Sequence, residues 1–169
     1  MATAKTKYTV PGLSKSTSDK VIKILQSRLA AYNDLHLTLK HVHWNVVGPN
    51  FISVHEMIDP QVEQVRLYAD EAAERIAALG GSPLGTVGSI VADRTLPEYP
   101  LNRGTAMDHL QALDGVYTKL ISDNREVFEA LEDDLVSQDL LVSATGELEK
   151  FQWFIRAHLE NSGGQIPTR

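Results

Sequence analysis

Residues 41–80 read HVHWNVVGPNFISVHEMIDPQVEQVRLYADEAAERIAALG, and the rest of the chain is organised around this stretch. From Phe51 onward it reads as one long helix. It carries His55, Asp59, Asp70 and Glu74, spaced four, eleven and four residues apart. At 100° per residue they fall at about 0°, 40°, 60° and 100° around the helix, a single narrow face. Imidazoles and carboxylates gathered on one face are ligand chemistry for a transition metal. His55 and Asp70 nevertheless lie roughly 22 Å apart along the axis, too far for one metal site. One chain therefore offers two half-sites. A second copy crossing antiparallel would bring His55 and Asp59 beside the partner's Asp70 and Glu74. Two-fold symmetry would then make two identical sites, one at each end of the contact.

Charged residues at i,i+4 on a helix ordinarily form a solvated face, and a helical His is ordinarily a packed or surface residue. Here Val62, Ala69, Ala73 and Ala77 share the face, so it is expected to be buried. Buried carboxylates and imidazoles need partners, which favours the ligand reading.

The chain has 169 residues, enough for one domain with a sizeable core, and 43% hydrophobic with 22% charged residues is an ordinary globular balance. There is no cysteine, which excludes disulfides and thiolate metal sites. No long apolar run suggests a signal peptide or a membrane span, so a cytoplasmic location is expected. A net charge of −6 does not suit a DNA-binding body, so any nucleic-acid contact has to come from a local basic segment. Residues 1–17 are such a segment. They hold Lys5, Lys7 and Lys15 and no acid, and Pro11-Gly12 interrupts regular structure; a mobile basic arm is expected.

The first helix is expected to begin after the Ser16–Ser18 cluster. Val21, Ile22, Leu25, Leu29, Tyr32, Leu35, Leu39 and Val42 recur at threes and fours, until Gly48-Pro49 stops the pattern. His43 lies where it can serve an inward site, followed by Trp44. The second helix runs from about Asn50 to Gly80-Gly81, and Pro60 inside it predicts a kink or a later start. Residues 80–104, rich in Gly and Pro, form a long crossover with a short helical piece near 85–92. A third helix is expected from about Thr105 to Leu131, with Met107 in its inner stripe. A fourth runs from about Val136 to Glu160. The fold class is thus all-α, a ferritin-like four-helix bundle over residues 18–160 with a short extra helix in the crossover and a flexible tail at 161–169. No strand is expected. From Glu126 to Glu149 there are eight acids and no base, either a solvated acidic corner or a funnel for cations, and Asp133 or Asp134 can cap the fourth helix.

His43-Trp44-Asn45, Gly48, Asn50-Phe51, His55-Glu56 and Asp59, then Asp70, Ala73-Glu74-Arg75 and Gly80-Gly81, resemble the Dps family of mini-ferritins, the DNA-binding proteins from starved cells. The resemblance covers nearly the whole chain. It implies a ferroxidase centre at a two-fold interface, with His43, His55 and Asp59 from one subunit and Asp70 and Glu74 from the other. It implies Trp44 and Trp153 near the centre, where tryptophan absorbs stray oxidising equivalents. It implies a homo-oligomer of twelve subunits, a hollow shell that oxidises Fe(II), preferably with hydrogen peroxide, and stores the Fe(III) product. Acids near the start of the fourth helix line pores that admit iron in the family; Asp139 matches best by its distance to Trp153, and Asp134 more loosely. DNA binding, and with it nucleoid association, would rest on Lys5, Lys7 and Lys15. No membrane partner is implied.

Two other readings compete. A conventional ferritin uses Glu-x-x-His pairs within one subunit, and no such pair occurs in the chain. A structural nucleoid shell that coats DNA with little iron chemistry would not need His55, Asp59, Asp70 and Glu74 together.

Overall fold

The computed structural model describes residues 8–160. Lys5, Lys7 and the tail at 161–169 lie outside the described residues. The elements run α1 (Lys15–Asn45), β1 (Val46–Val47), α2 (Phe51–Ala78), α3 (Val87–Ala92), β2 (Gly104–Thr105), α4 (Ala106–Glu126), a 3-10 turn (Glu129–Leu131) and α5 (Leu135–Leu159). The helices α1 and α2 pack as one pair, α4 and α5 as the other. Leu25, Leu35, Leu39, Ile58, Ile76, Leu110, Leu113, Leu120 and Leu148 are fully buried between them, on the faces that the spacing marked.

Local chemistry sets the ends. Ser14 caps α1 by accepting from the Thr17 N–H at 3.1 Å, so that helix starts earlier than the Ser16–Ser18 cluster suggested and Lys15 is its first residue. At the end of α2, Gly80 has φ of 85°. The N–H of Gly80 bonds Ala77 O and that of Gly81 bonds Ile76 O, both at 2.9 Å, a Schellman closure that only glycine enters without strain. Thr105 and Asp108 form a capping box on α4.

Several expectations are corrected. Pro60 does not delay α2, which starts at Phe51 and passes through the proline; only the Glu56 carbonyl is left without its helical donor. The third helix does not reach Leu131. It ends at Glu126, and the chain tightens into the 3-10 turn, where successive acids oppose the helix dipole. A strand does exist: Val46–Val47 pairs parallel with Gly104–Thr105, tying the α1–α2 loop to the head of α4. Two residues per strand carry no readable alternation. Met107 is 37% exposed, outside the core stripe. Among the described residues no helix is long and apolar enough to cross a membrane.

Candidate metal centre

Gly48 at φ of 100° turns the chain sharply between α1 and α2, so the last turn of one helix lies against the first turns of the other. His43 stands on the former, His55 and Asp59 on the latter. Each offers a ligand atom within 4.8 Å of the others. His55 Nδ1–H donates to the His43 carbonyl at 2.9 Å, one of the orphan acceptors at the end of α1. His43 Nδ1–H donates to the His55 carbonyl at 3.2 Å and lies 3.1 Å from Asp59 Oδ1. The two rings stack with centroids 3.6 Å apart, and Phe51 covers His55 at 5.0 Å. With both Nδ1 atoms committed to carbonyls, each neutral ring keeps its lone pair on Nε2, the atom left for a metal.

Asp59 is paired with a residue that the sequence did not single out. Lys40 Nζ donates to Asp59 Oδ1 at 3.1 Å and lies 5.8 Å from the centre of the Trp44 ring. Lys40 precedes His43 by three residues and Trp44 by four, so helical spacing alone puts the three on adjoining faces. Trp44 itself is 71% exposed.

Asp70 and Glu74 do not join this cluster. Both are exposed farther along α2. The ligand face is not fully covered within one chain either: the Asp59 side chain is 51% exposed, and of the four apolar markers only Val62 and Ala69 are buried, Ala77 being exposed. Within one subunit three donors converge, and the other two candidates stand apart on open surface.

The remaining candidates separate. Trp153 is exposed on α5 and packs on Phe154. Asp139 is exposed on α5. Asp134 precedes α5 but is buried. Its carboxylate takes both bonds from Arg75 Nη2, at 2.8 and 2.9 Å, and one from the Ser137 hydroxyl at 2.5 Å. Burial alone would raise its pKa, but Ser137 and the Arg75 guanidinium together hold it below the ordinary value. That carboxylate is engaged inside the subunit, and Asp134 stands at the N-cap position of α5. Lys15 pairs with Asp19 at 2.5 Å.

The bundle interior contains no second centre among the described residues. Where four helices could converge carboxylates, Asn124 donates to Tyr32 and Thr145, Tyr117 donates to Gln61 at 2.7 Å, and Arg28 donates to Asn124 and Ser27. Neutral groups and a buried guanidinium, the latter already paired with the buried Asp123 carboxylate at 3.9 Å, do not bind a cation. Burial pushes the Tyr32 phenol up to about 12, so it stays protonated.

A family model described as a ferritin-like domain matches residues 22–162. The chain is 65% identical over 162 residues to a protein of Mycolicibacterium smegmatis named DNA protection during starvation protein, covering 95% of this chain and 88% of that one. It is 53% identical over 160 residues to a Haemophilus ducreyi protein named fine tangled pili major subunit, covering 94% and 85%. A solved structure titled as the tetragonal form of Mycobacterium smegmatis Dps superposes with a TM-score of 0.91 at 65% identity, over 95% of this chain and 98% of that one.

Proposed function

We propose a function from one premise: the chain belongs to the Dps family of ferritin-like proteins. It is an iron-detoxifying mini-ferritin, a ferroxidase whose centres form between subunits. His43, His55 and Asp59 of one copy bind Fe(II) together with Asp70 and Glu74 of a second. The observation that carries this reading is the convergence of the first three within 4.8 Å while the other two, on the same face of the same helix, stay apart.

The donor set fits iron as the substrate. Imidazole nitrogens accept Fe(II), and hard carboxylate oxygens favour the Fe(III) that results. Two Fe(II) ions each lose one electron, and one hydrogen peroxide takes both as its O–O bond breaks. Coupling the two electrons consumes peroxide without releasing a hydroxyl radical. Trp44 and Trp153 intercept oxidising equivalents that escape. The Fe(III) product collects inside a hollow shell of twelve subunits, with Asp139 at the pores that admit iron. The chain acts in the cytoplasm beside the nucleoid and protects DNA from oxidative damage. Direct, sequence-independent DNA contact falls to the basic N-terminal residues. A shell that only coats DNA would not require three metal donors to meet.

Complementation tests the interfacial centre. D59A and D70A copies are each expected to lose the fast phase of peroxide-dependent Fe(II) oxidation. Assembled together, an intact Asp59 from one copy meets an intact Asp70 from the other, and part of the fast phase returns. If mixing restores nothing while light scattering shows intact assemblies, the centre is not shared between subunits.

A further inference from the structure

Between Asp59 and Asp70 the helix α2 carries two charged residues, Glu63 and Arg66. By helical spacing Arg66 falls between His55 and Asp59 around the axis, and Glu63 between Asp70 and Glu74, so both lie on the ligand face. Within one chain they touch at 3.2 Å, with side chains 59% exposed at Arg66 and 70% at Glu63. Exposed i,i+3 pairs add little to a helix by themselves. Large apolar side chains are left open at Leu67, next to Arg66 on α2, and at Leu37 on α1, next in sequence to His36, which senses the charges of Arg66 and Glu63. Open apolar side chains flanking a charged pair are the mark of a surface that becomes covered.

The two half-sites dictate what covers it. If His55 meets Glu74 and Asp59 meets Asp70 of a second copy, the two-fold axis crosses α2 midway between the members of each pair, at Gln64–Val65. Glu63 and Arg66 stand at equal distances on either side of that point. Glu63 of each copy then faces Arg66 of the other. We propose that Glu63 and Arg66 form a reciprocal charge lock between two copies of this chain, and that the lock sets the register at which the half-sites close. The proposal rests on the interfacial reading of the centre. Its strength lies in what it forbids. A slip of three residues in one direction sets Glu63 against Glu63, and in the other Arg66 against Arg66, so both neighbouring registers are repelled.

The test uses the full chain carrying E63R or R66E. Either substitution leaves charges of one sign around the axis, and the subunits are expected to associate on the order of tenfold more weakly, with a matching loss of the fast phase of Fe(II) oxidation. The decisive arm co-assembles the two variants. Opposite charges then face each other across the axis while each helix keeps like charges within itself. Recovery of assembly and oxidation on mixing is the expected result. An effect confined within one helix would not recover on mixing and would recover only in the E63R/R66E double variant, which would overturn the lock. Association of the single variants at the strength of the unaltered chain would overturn it equally. Far-UV circular dichroism checks folding; should either reversal unfold the subunit, E63Q and R66Q replace them, and unchanged salt dependence of association in both sinks the proposal. The D59A and D70A mixture separates the two levels of failure. If it complements while the charge variants do not, the shared centre stands and the lock falls; if neither complements, the shared centre falls as well.

Discussion

His43 and His55 each donate Nδ1–H to the other's backbone carbonyl, at 3.2 and 2.9 Å, and stack ring on ring. The arrangement fixes both tautomers because a backbone carbonyl of the facing helix accepts from each Nδ1–H, with Asp59 Oδ1 standing beside the His43 nitrogen alone. H55A removes a candidate ligand, takes the stacking partner from the His43 ring and strands the His43 carbonyl, while the backbone acceptor at position 55 that holds His43 Nδ1 remains. The expected outcome is a fall of about 10–100-fold in Co(II) affinity by calorimetric titration of the assembled protein, Co(II) standing in as a divalent probe. Subunit stability should drop by about 1 kcal/mol, since the stranded carbonyl is close to water. Unchanged Co(II) binding would remove His55 from the centre.

Lys40 competes with a metal for Asp59. Its ammonium and His43 Nδ1 share one carboxylate oxygen, Oδ1, so a cation arriving at the cluster meets a carboxylate already partly neutralised. Replacing Lys40 by Met keeps the stem and removes the charge. Co(II) affinity should rise by about 3–10-fold at low ionic strength, and the gain should shrink at high salt as the lysine field is screened. A loss of affinity in K40M would mean that Lys40 positions the carboxylate instead of contesting it.

Asp134 is expected to matter for stability rather than for iron transport. The carboxylate is buried, paired with Arg75 and bonded by Ser137, and these partners hold its pKa below the ordinary carboxylate value. A carboxyl with a depressed folded-state pKa adds stability above the unfolded value and loses it as pH falls through the folded one. Wild type should therefore show an acid limb of declining stability below about pH 4. D134N leaves the Arg75 guanidinium buried without a counter-charge, so it should cost about 3 kcal/mol at pH 7 and flatten that limb. Thermal denaturation of both proteins across pH 3–7 measures the difference. Iron uptake at pH 7 should be unaffected once assembly is matched.

The bundle was legible because its signals are periodic and long. The stripe from Val21 to Val42, the break at Gly48-Pro49 and the closure at Gly80-Gly81 reappear as α1, the interhelix turn and the end of α2. His55, Asp59, Asp70 and Glu74 could be placed on one face by counting, and so could the fact that one chain cannot close them into a site. What failed was local or tertiary. Pro60 predicted a kink or a later start; the later start does not occur, because burial of Val54, Ile58 and Val62 holds the helix from Phe51 through the proline. Asp134 was read as a cap and a looser pore candidate, and its partner went unread because sequence spacing does not show Arg75 arriving from another helix. Lys40 went unread because a lysine on a helix is ordinarily solvated, and only the turn at Gly48 brings it to Asp59. The β1–β2 pair is two residues long and joins segments far apart in sequence.

DNA contact should depend on Lys5 and Lys7 more than on Lys15. Lys15 opens α1, where a cation opposes the helix dipole, and Asp19 one turn on neutralises it at 2.5 Å. The whole chain carries a net charge of −6 even with its N-terminal lysines counted, so phosphate is repelled unless local basic residues offset that field. K5Q/K7Q should weaken retardation of linear DNA by about tenfold or more at low salt. It should also lower the dependence of log K on log salt by about 0.9 for each phosphate that is no longer neutralised. K15Q should change either quantity little. Truncation needs a different boundary from the arm read in the sequence: removing residues through Lys15 takes away Ser14, which caps α1 and bonds Ser16, Thr17 and Ser18. Such a deletion would lose helix stability along with charge. Stopping at Lys7 keeps the cap. If that shorter deletion leaves DNA retardation intact while Fe(II) oxidation also persists, the lysine arm is not what holds DNA, and protection would come from the iron chemistry alone.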